Sequence, residues 1–167
     1  MFSGVLRLFW RAVPYDKTIT PPQRDSQLPG SEYLGIDDYI GQEIYMEDIE
    51  IIGNILYPYT IQHNGGVIFA GLNSTEEYFY LRKKKFDGSL AHYKSIPDAE
   101  RDINELRPYD FFYGTSDNSS DETYQNVAEM IKKCWECHLM RTYPDKKFIV
   151  EINGEYEQFG ITFYQEP

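Results

Sequence analysis

The apolar residues in the last third of the chain recur with two different periods, and the change of period marks a change of element. Tyr124, Val127, Ala128, Ile131, Trp135 and Leu139 return at three- and four-residue intervals, which places them on one stripe of a helix. Ser119 and Glu122 have capping-box spacing at its start, and Tyr143-Pro144 closes it. Beyond it Phe148, Val150 and Ile152 fall at alternate positions, Asn153-Gly154 reads as a two-residue turn, and the chain returns to Tyr164. Paired across that turn, Ile152 opposes Glu155, so Phe159, Ile161 and Phe163 share the face of the first strand's apolar set. One face of this hairpin is therefore buried, and the long helix is its natural cover.

Earlier segments predict more β structure. Over residues 1–13, Leu6, Leu8, Trp10 and Ala12 fall on one face of a strand and Arg7 and Arg11 on the other. Pro21-Pro22 and Pro29-Gly30 make residues 14–31 a long Pro-rich loop. Residues 36–52 are ambiguous. As a helix they align Ile36, Ile40 and Ile44; as a strand they alternate through Ile44 and Met46 and slip near Glu47-Asp48. Either period sets Glu43 and Glu47 on the same side. Residues 55–62 and 67–72 flank His63-Asn64-Gly65-Gly66, and residues 77–86 and 89–96 flank Asp87-Gly88; both are hairpin signals. A short helix capped by Asp98 turns Ala99, Ile103 and Leu106 inward and stops before Pro108. Residues 109–113 read as a strand and 114–120 as a polar loop.

The expected fold is α+β: a mostly antiparallel sheet of about six to eight strands built from hairpins, with one long and one or two short helices packed on one face. Hairpins dominate the middle of the chain, which disfavours a doubly wound parallel sheet. All 167 residues suit a single domain, residues 1–167, and 41% hydrophobic with 16% aromatic content supplies core material rather than a disordered chain. Two cysteines make no disulfide framework.

Charge changes the picture most. The net charge is −11, and no Lys or Arg lies between Arg24 and Arg82. Those 57 intervening residues hold ten acids, while the remaining 110 carry 16 basic against 17 acidic groups. Such a field repels phosphate backbones and anionic lipid and attracts basic partners. Direct nucleic-acid binding is disfavoured, because it depends on Lys/Arg contacts to phosphate. No run approaches the ~18 apolar residues of a membrane span. The start of the chain also lacks the charge-then-apolar order of a secretory signal, so no membrane association and a cytoplasmic location are expected.

Candidate chemistry is sparse. Cys134-Trp135-Glu136-Cys137-His138 matches the haem-attachment pattern C-x-x-C-H, but it falls inside the long helix with Trp135 on the core stripe. A low-pKa dithiol belongs at a helix N-terminus, and Cys134 is about four turns in, so the cysteines read as structural. His63, His92 and His138 show no metal spacing and no triad order, and no phosphate-cradling loop is present. No catalytic residue, metal or cofactor is expected. Arg82-Lys83-Lys84-Lys85 reads as the exposed end of a hairpin strand.

Seven of the 15 tyrosines lie in the acidic block, interleaved with acids as in Asp37-Asp38-Tyr39 and Glu43-Ile44-Tyr45-Met46-Glu47. Tyrosine adds contact area at low entropy cost, so this pattern suits a surface that meets Lys/Arg. Asp37, Asp38, Tyr39, Glu43, Tyr45, Glu47, Asp48 and Glu50 are the candidate partner-binding residues. The functional expectation is a small acidic protein-binding protein, in its sharpest form an inhibitor such as a bacterial immunity protein that neutralises a basic toxin or nuclease domain. The alternative is an enzyme or small-ligand domain with an aromatic-lined pocket, using His63 or His92 with a carboxylate.

Overall fold

The computed structural model describes residues 35–71, 75–114, 119–154 and 159–167. The expected strand over 1–13 and the Pro-rich loop over 14–31 lie outside the described residues. Two compact units divide the chain, Met1–Ile49 and Glu50–Pro167. The described part of the first holds helix α1 (Ile36–Glu43) and the start of α2 (Met46–Leu56), which runs on into the second. The second unit continues with strands β1 (Thr60–His63) and β2 (Gly66–Phe69) and helices α3 (Glu76–Tyr93), α4 (Ile96–Ile103), α5 (Pro108–Phe112) and α6 (Asp121–Thr142). Strands β3 (Phe148–Asn153) and β4 (Gly160–Gln165) complete it. Among the described residues no helix is long and apolar enough to cross a membrane.

The α+β class stands, but the sheet does not. Instead of six to eight strands in one sheet under one long helix, the described residues form six helices and two separate antiparallel hairpins. The β1–β2 hairpin turns through Asn64 (φ 46°) and Gly65 (φ 84°), the paired positive angles that two-residue hairpin turns favour. Gly66 follows because any Cβ there would run into the Phe86 ring. In the second hairpin Ile152 pairs with Ile161 rather than Glu155, so the register is six residues away from the tight-turn expectation. Six is even, so Val150, Ile161 and Phe163 still share the buried face.

The hairpins are joined by side chains. Antiparallel pairing leaves alternate N–H and C=O groups of β2 and β4 pointing away from their partners, and these must be satisfied when buried. Glu100 on α4 and Asn104 just past its end, one turn apart, do this, and both are fully buried. Val67 N donates to Glu100 Oε1 at 2.7 Å and Phe69 N to Asn104 Oδ1 at 2.8 Å. Asn104 Nδ2 donates to Val67 O at 2.9 Å and to Phe163 O at 3.0 Å. Glu100 also accepts from Gln165 N (to Oε2) and Gln165 Nε2 (to Oε1), each at 2.6 Å. Burial pushes the Glu100 carboxyl above the usual range, while the N–H groups of Gln165 and Val67 and the charge of Lys146 pull it back. Leu106 then exchanges both backbone hydrogen bonds with Ile161, at 2.7 and 2.8 Å.

Around this polar link the core closes in two clusters. Trp135, Ile131 and Leu139 of α6 pack with Phe69, Leu106, Val150 and Phe163, and the Trp135 ring lies 5.4 Å from Phe69 and 5.5 Å from Phe163. Ile68, Phe86, Ala99 and Ile103 form the second. Helix α6 carries the expected stripe, with Ser120 as its cap: the Ser120 hydroxyl accepts from Thr123 N. It also anchors the last turn of α2 and the chain just beyond it, since Trp135 Nε1 donates to Ile55 O at 2.8 Å and His138 hydrogen-bonds the Pro58 backbone.

Three expected strands are helices. The hairpin signal at Asp87-Gly88 is overridden, since α3 runs without a break through it from Glu76 to Tyr93. Thr75 caps it by accepting from Tyr78 N, and Glu76 and Glu77 suit its positive end. Arg82, Phe86 and Leu90 then repeat every four residues toward the interior. Asp87 is held by the β1–β2 turn, accepting from Asn64 Nδ2 at 2.7 Å and lying 2.8 Å from His63 Nε2. The third strand, 109–113, is α5, opened by Pro108 in its first turn. Further along, Ser95 rather than Asp98 caps α4, and residues 55–56 belong to α2 rather than to a strand.

Glu100→Gln replaces an acceptor with an NH2 group facing an N–H, and should cost about 1–3 kcal/mol in chemical denaturation, with Asn104→Ala at least as costly. Gly88 is exposed and a Cβ there meets nothing within 4 Å. Gly88→Ala should therefore stabilise α3 by about 0.5–1 kcal/mol, whereas a hairpin at Asp87-Gly88 would make the same change destabilising. Burial, and secondarily the charge of Arg141, lower the pKa of His138 against the Pro58 hydrogen bond that raises it. The unfolded chain thus binds this proton more readily, so the His138 contribution is full above the ordinary histidine range and is lost as pH falls through it. The stability difference between wild type and His138→Asn, measured by urea titration, should shrink as pH falls from about 7.5 to about 5.

Candidate partner-binding surface

The eight acidic-block candidates are distributed over two helices and the break between them. Asp37, Asp38, Tyr39 and Glu43 lie on α1, Tyr45 in the break, and Glu47, Asp48 and Glu50 on α2. Ile44 is extended (φ −110°, ψ 117°), which ends the first helix. The next one restarts when Asp48 Oδ2 accepts from Tyr45 N at 3.0 Å, the reach-back half of a capping box. Because of this break, Glu43 and Glu47 sit on different helices, and their spacing of four does not define a common face.

Several of these carboxylates have local work. Asp37 and Asp38 occupy the first turn of α1, and Glu47 and Asp48 that of α2, where negative charge complements the exposed N–H groups. Asp38 Oδ1 accepts from Gln42 Nε2 at 2.7 Å. Within the first unit Asp37 and Glu47 are exposed, Asp38, Glu43 and Asp48 half-buried, and Tyr39 buried. Tyr45 is 69% exposed, so of the two candidate aromatic anchors it is the one displayed. Glu50, also exposed, is the first residue of the second unit. Alongside the acids, Ile36, Ile40, Met46 and Ile49 are exposed, Met46 at 81%. Large apolar side chains turned outward among carboxylates were not evident from periodicity, which treats Ile36 and Ile40 as core.

The histidines give no comparable grouping. His63 Nε2 lies 2.8 Å from Asp87 Oδ1, a histidine–carboxylate pair within hydrogen-bond reach, but on an outward-facing hairpin turn with Asp87 47% exposed. His92 is exposed and stacks edge-on against Tyr93, and His138 is engaged with Pro58. A cavity in the second unit is lined by none of them. Cys134 and Cys137 are both half-buried free thiols, and burial, with Cys137 adding to it, pushes the Cys134 thiol up and away from thiolate chemistry. Among the described residues no group of three or more His, Cys, Asp or Glu side chains is arranged to hold a metal ion. Arg82, grouped by sequence with three lysines, instead turns inward: Nε donates to Phe69 O at 2.9 Å and Nη2 to Ile103 O at 2.7 Å. No family model matches this chain, and neither a curated protein nor a solved structure does.

Proposed function

We propose that the α1–α2 segment is a docking surface for a basic protein, and that the chain acts by binding rather than by catalysis. The observation that carries this reading is the mixture displayed by residues 36–49. Exposed Asp37 and Glu47 stand among exposed Ile36, Ile40, Tyr45, Met46 and Ile49, in a stretch of sequence with no cation between Arg24 and Arg82. Apolar side chains supply area removed from water on contact, and the surrounding carboxylates select a cationic partner and speed encounter. Tyr45 is the anchor in this reading, a large ring with a polar tip. In its sharpest form the partner is a cationic toxin or nuclease domain, neutralised in the cytoplasm by a cognate inhibitor.

The test is retention of a partner by the tagged full-length chain at about 50 mM and about 500 mM salt, with Glu43→Lys/Glu47→Lys and Tyr45→Ala variants in parallel. The expected result is a basic protein held at low salt, weakened at high salt, and bound at least about tenfold less tightly by either variant while circular dichroism stays unchanged. A partner bound equally by the charge-reversed chain, or none at either salt, overturns the reading.

A further inference from the structure

A cavity of about 350 Å3 opens in the second unit between β2, α3 and the segment leading into α5. Its walls combine the apolar side chains of Phe69, Leu106 and Phe111 with the phenol of Tyr78 and two guanidinium groups, Arg82 and Arg107. That volume falls at the small end of those that hold small organic molecules.

The two arginines differ in one respect. Arg107 is half exposed, and its Nε donates to Glu105 Oε1 at 2.6 Å, with Asp110 adding its charge nearby. Arg82 is half-buried, and its hydrogen bonds go to two main-chain carbonyls, Phe69 O and Ile103 O. Those carbonyls use two of the five guanidinium N–H groups. Among the described residues no carboxylate forms an ion pair with Arg82. Burial accordingly lowers its pKa, with the phenol of Tyr78 the one opposing influence. A cation taken out of water without a counter-ion is costly, and a chain retains one where an anion completes it. Gly71, at φ +76°, lets the Tyr78 ring lie against the backbone, since a Cβ there would come within 2.6 Å of the phenol oxygen. Tyr78 lines the same cavity as Arg82, and its hydroxyl is a second donor type on that wall.

We propose that this cavity binds a small organic monoanion, a carboxylate held by Arg82 and Tyr78 with an apolar or aromatic body against Phe69, Leu106 and Phe111. A carboxylate matches the planar guanidinium fork. A doubly charged phosphate does not suit the site, because Glu105 and Asp110 line the same cavity. This site lies wholly in the second unit and is independent of the docking surface on α1 and α2.

The probe is benzoate, titrated calorimetrically into the full chain up to about 10 mM, with benzyl alcohol and inorganic phosphate as comparators. One benzoate per chain should bind, at least about tenfold tighter than either comparator. Arg82→Gln should abolish binding. Because Arg82 also braces β2 and α4, a second variant separates folding from binding: Phe111→Ala, on a partly exposed ring, should leave circular dichroism unchanged and lower benzoate affinity about tenfold. The proposal is overturned by absence of benzoate binding to the folded wild type, by equal binding of benzyl alcohol or tighter binding of phosphate, or by a folded Phe111→Ala that binds benzoate as well as wild type.

Discussion

Two buried polar side chains hold the second unit together. β2 and β4 each belong to a separate two-stranded sheet, and neither hairpin alone satisfies the outward edge of its inner strand. Glu100 and Asn104, spaced by one helical turn, present acceptors to Val67 N, Phe69 N and Gln165 N and donors to Val67 O and Phe163 O. A wider sheet would make the same connection with a third strand's backbone; here a helix does it with an acid and an amide. The cost is a carboxylate in a fully buried position, offset by three N–H donors and the nearby Lys146. Replacing either side chain with an apolar one would leave backbone groups stranded, which is why this link is polar inside an otherwise apolar core.

That arrangement also explains where α3 lies and why a cavity forms beside it. With the edge of β2 occupied by Glu100 and Asn104, the remaining Phe69 carbonyl is taken by Arg82 from α3, which reaches Ile103 O with its other arm. Phe86, one turn on, fills the space that Gly66 leaves open. Arg82 is therefore both brace and lining, and its charge is delivered to the cavity by the same contacts that position the helix. The acidic stretch works differently. Its carboxylates stabilise the first turns of two short helices locally, and their excess over cations is left without a counter-charge in the sequence around them.

Much of the C-terminal part was legible in sequence. The stripe from Tyr124 to Leu139 is long and periodic, and Tyr124, Ala128, Ile131, Trp135 and Leu139 are buried along it, with Val127 half-buried at its edge. In the last hairpin alternation fixes the faces but not the register, because a slip of six residues leaves every side chain on its own face. The His63–Gly66 turn was legible for a chemical reason, its two positive-φ residues. Asp87-Gly88 shows the limit of the same logic. Its turn preference is worth about 1 kcal/mol, and Thr75 capping, the inward row of Arg82, Phe86 and Leu90, and capture of Asp87 by Asn64 together outweigh it.

The candidate site divides in the same way. Charge segregation, the absence of cations from residues 25–81 and the density of tyrosine follow from composition alone, since they need no coordinates. Which of those residues face outward does not: Tyr39 is buried and Tyr45 exposed, and Glu43 and Glu47 part company at the extended Ile44. The roles of Glu100, Asn104 and Arg82 were likewise hidden, because a buried polar residue looks like any surface residue until its partners, dozens of positions away, are brought to it. Sequence by itself determined the periods of the last helix and hairpin, the positive-φ turn at Asn64-Gly65, and the sign and location of the charge, because each is set by residue type and local spacing. Tertiary structure alone decided which strands pair, which polar groups are sealed inside and which arginine is held by main-chain carbonyls rather than a carboxylate, because those depend on contacts between segments far apart in the chain.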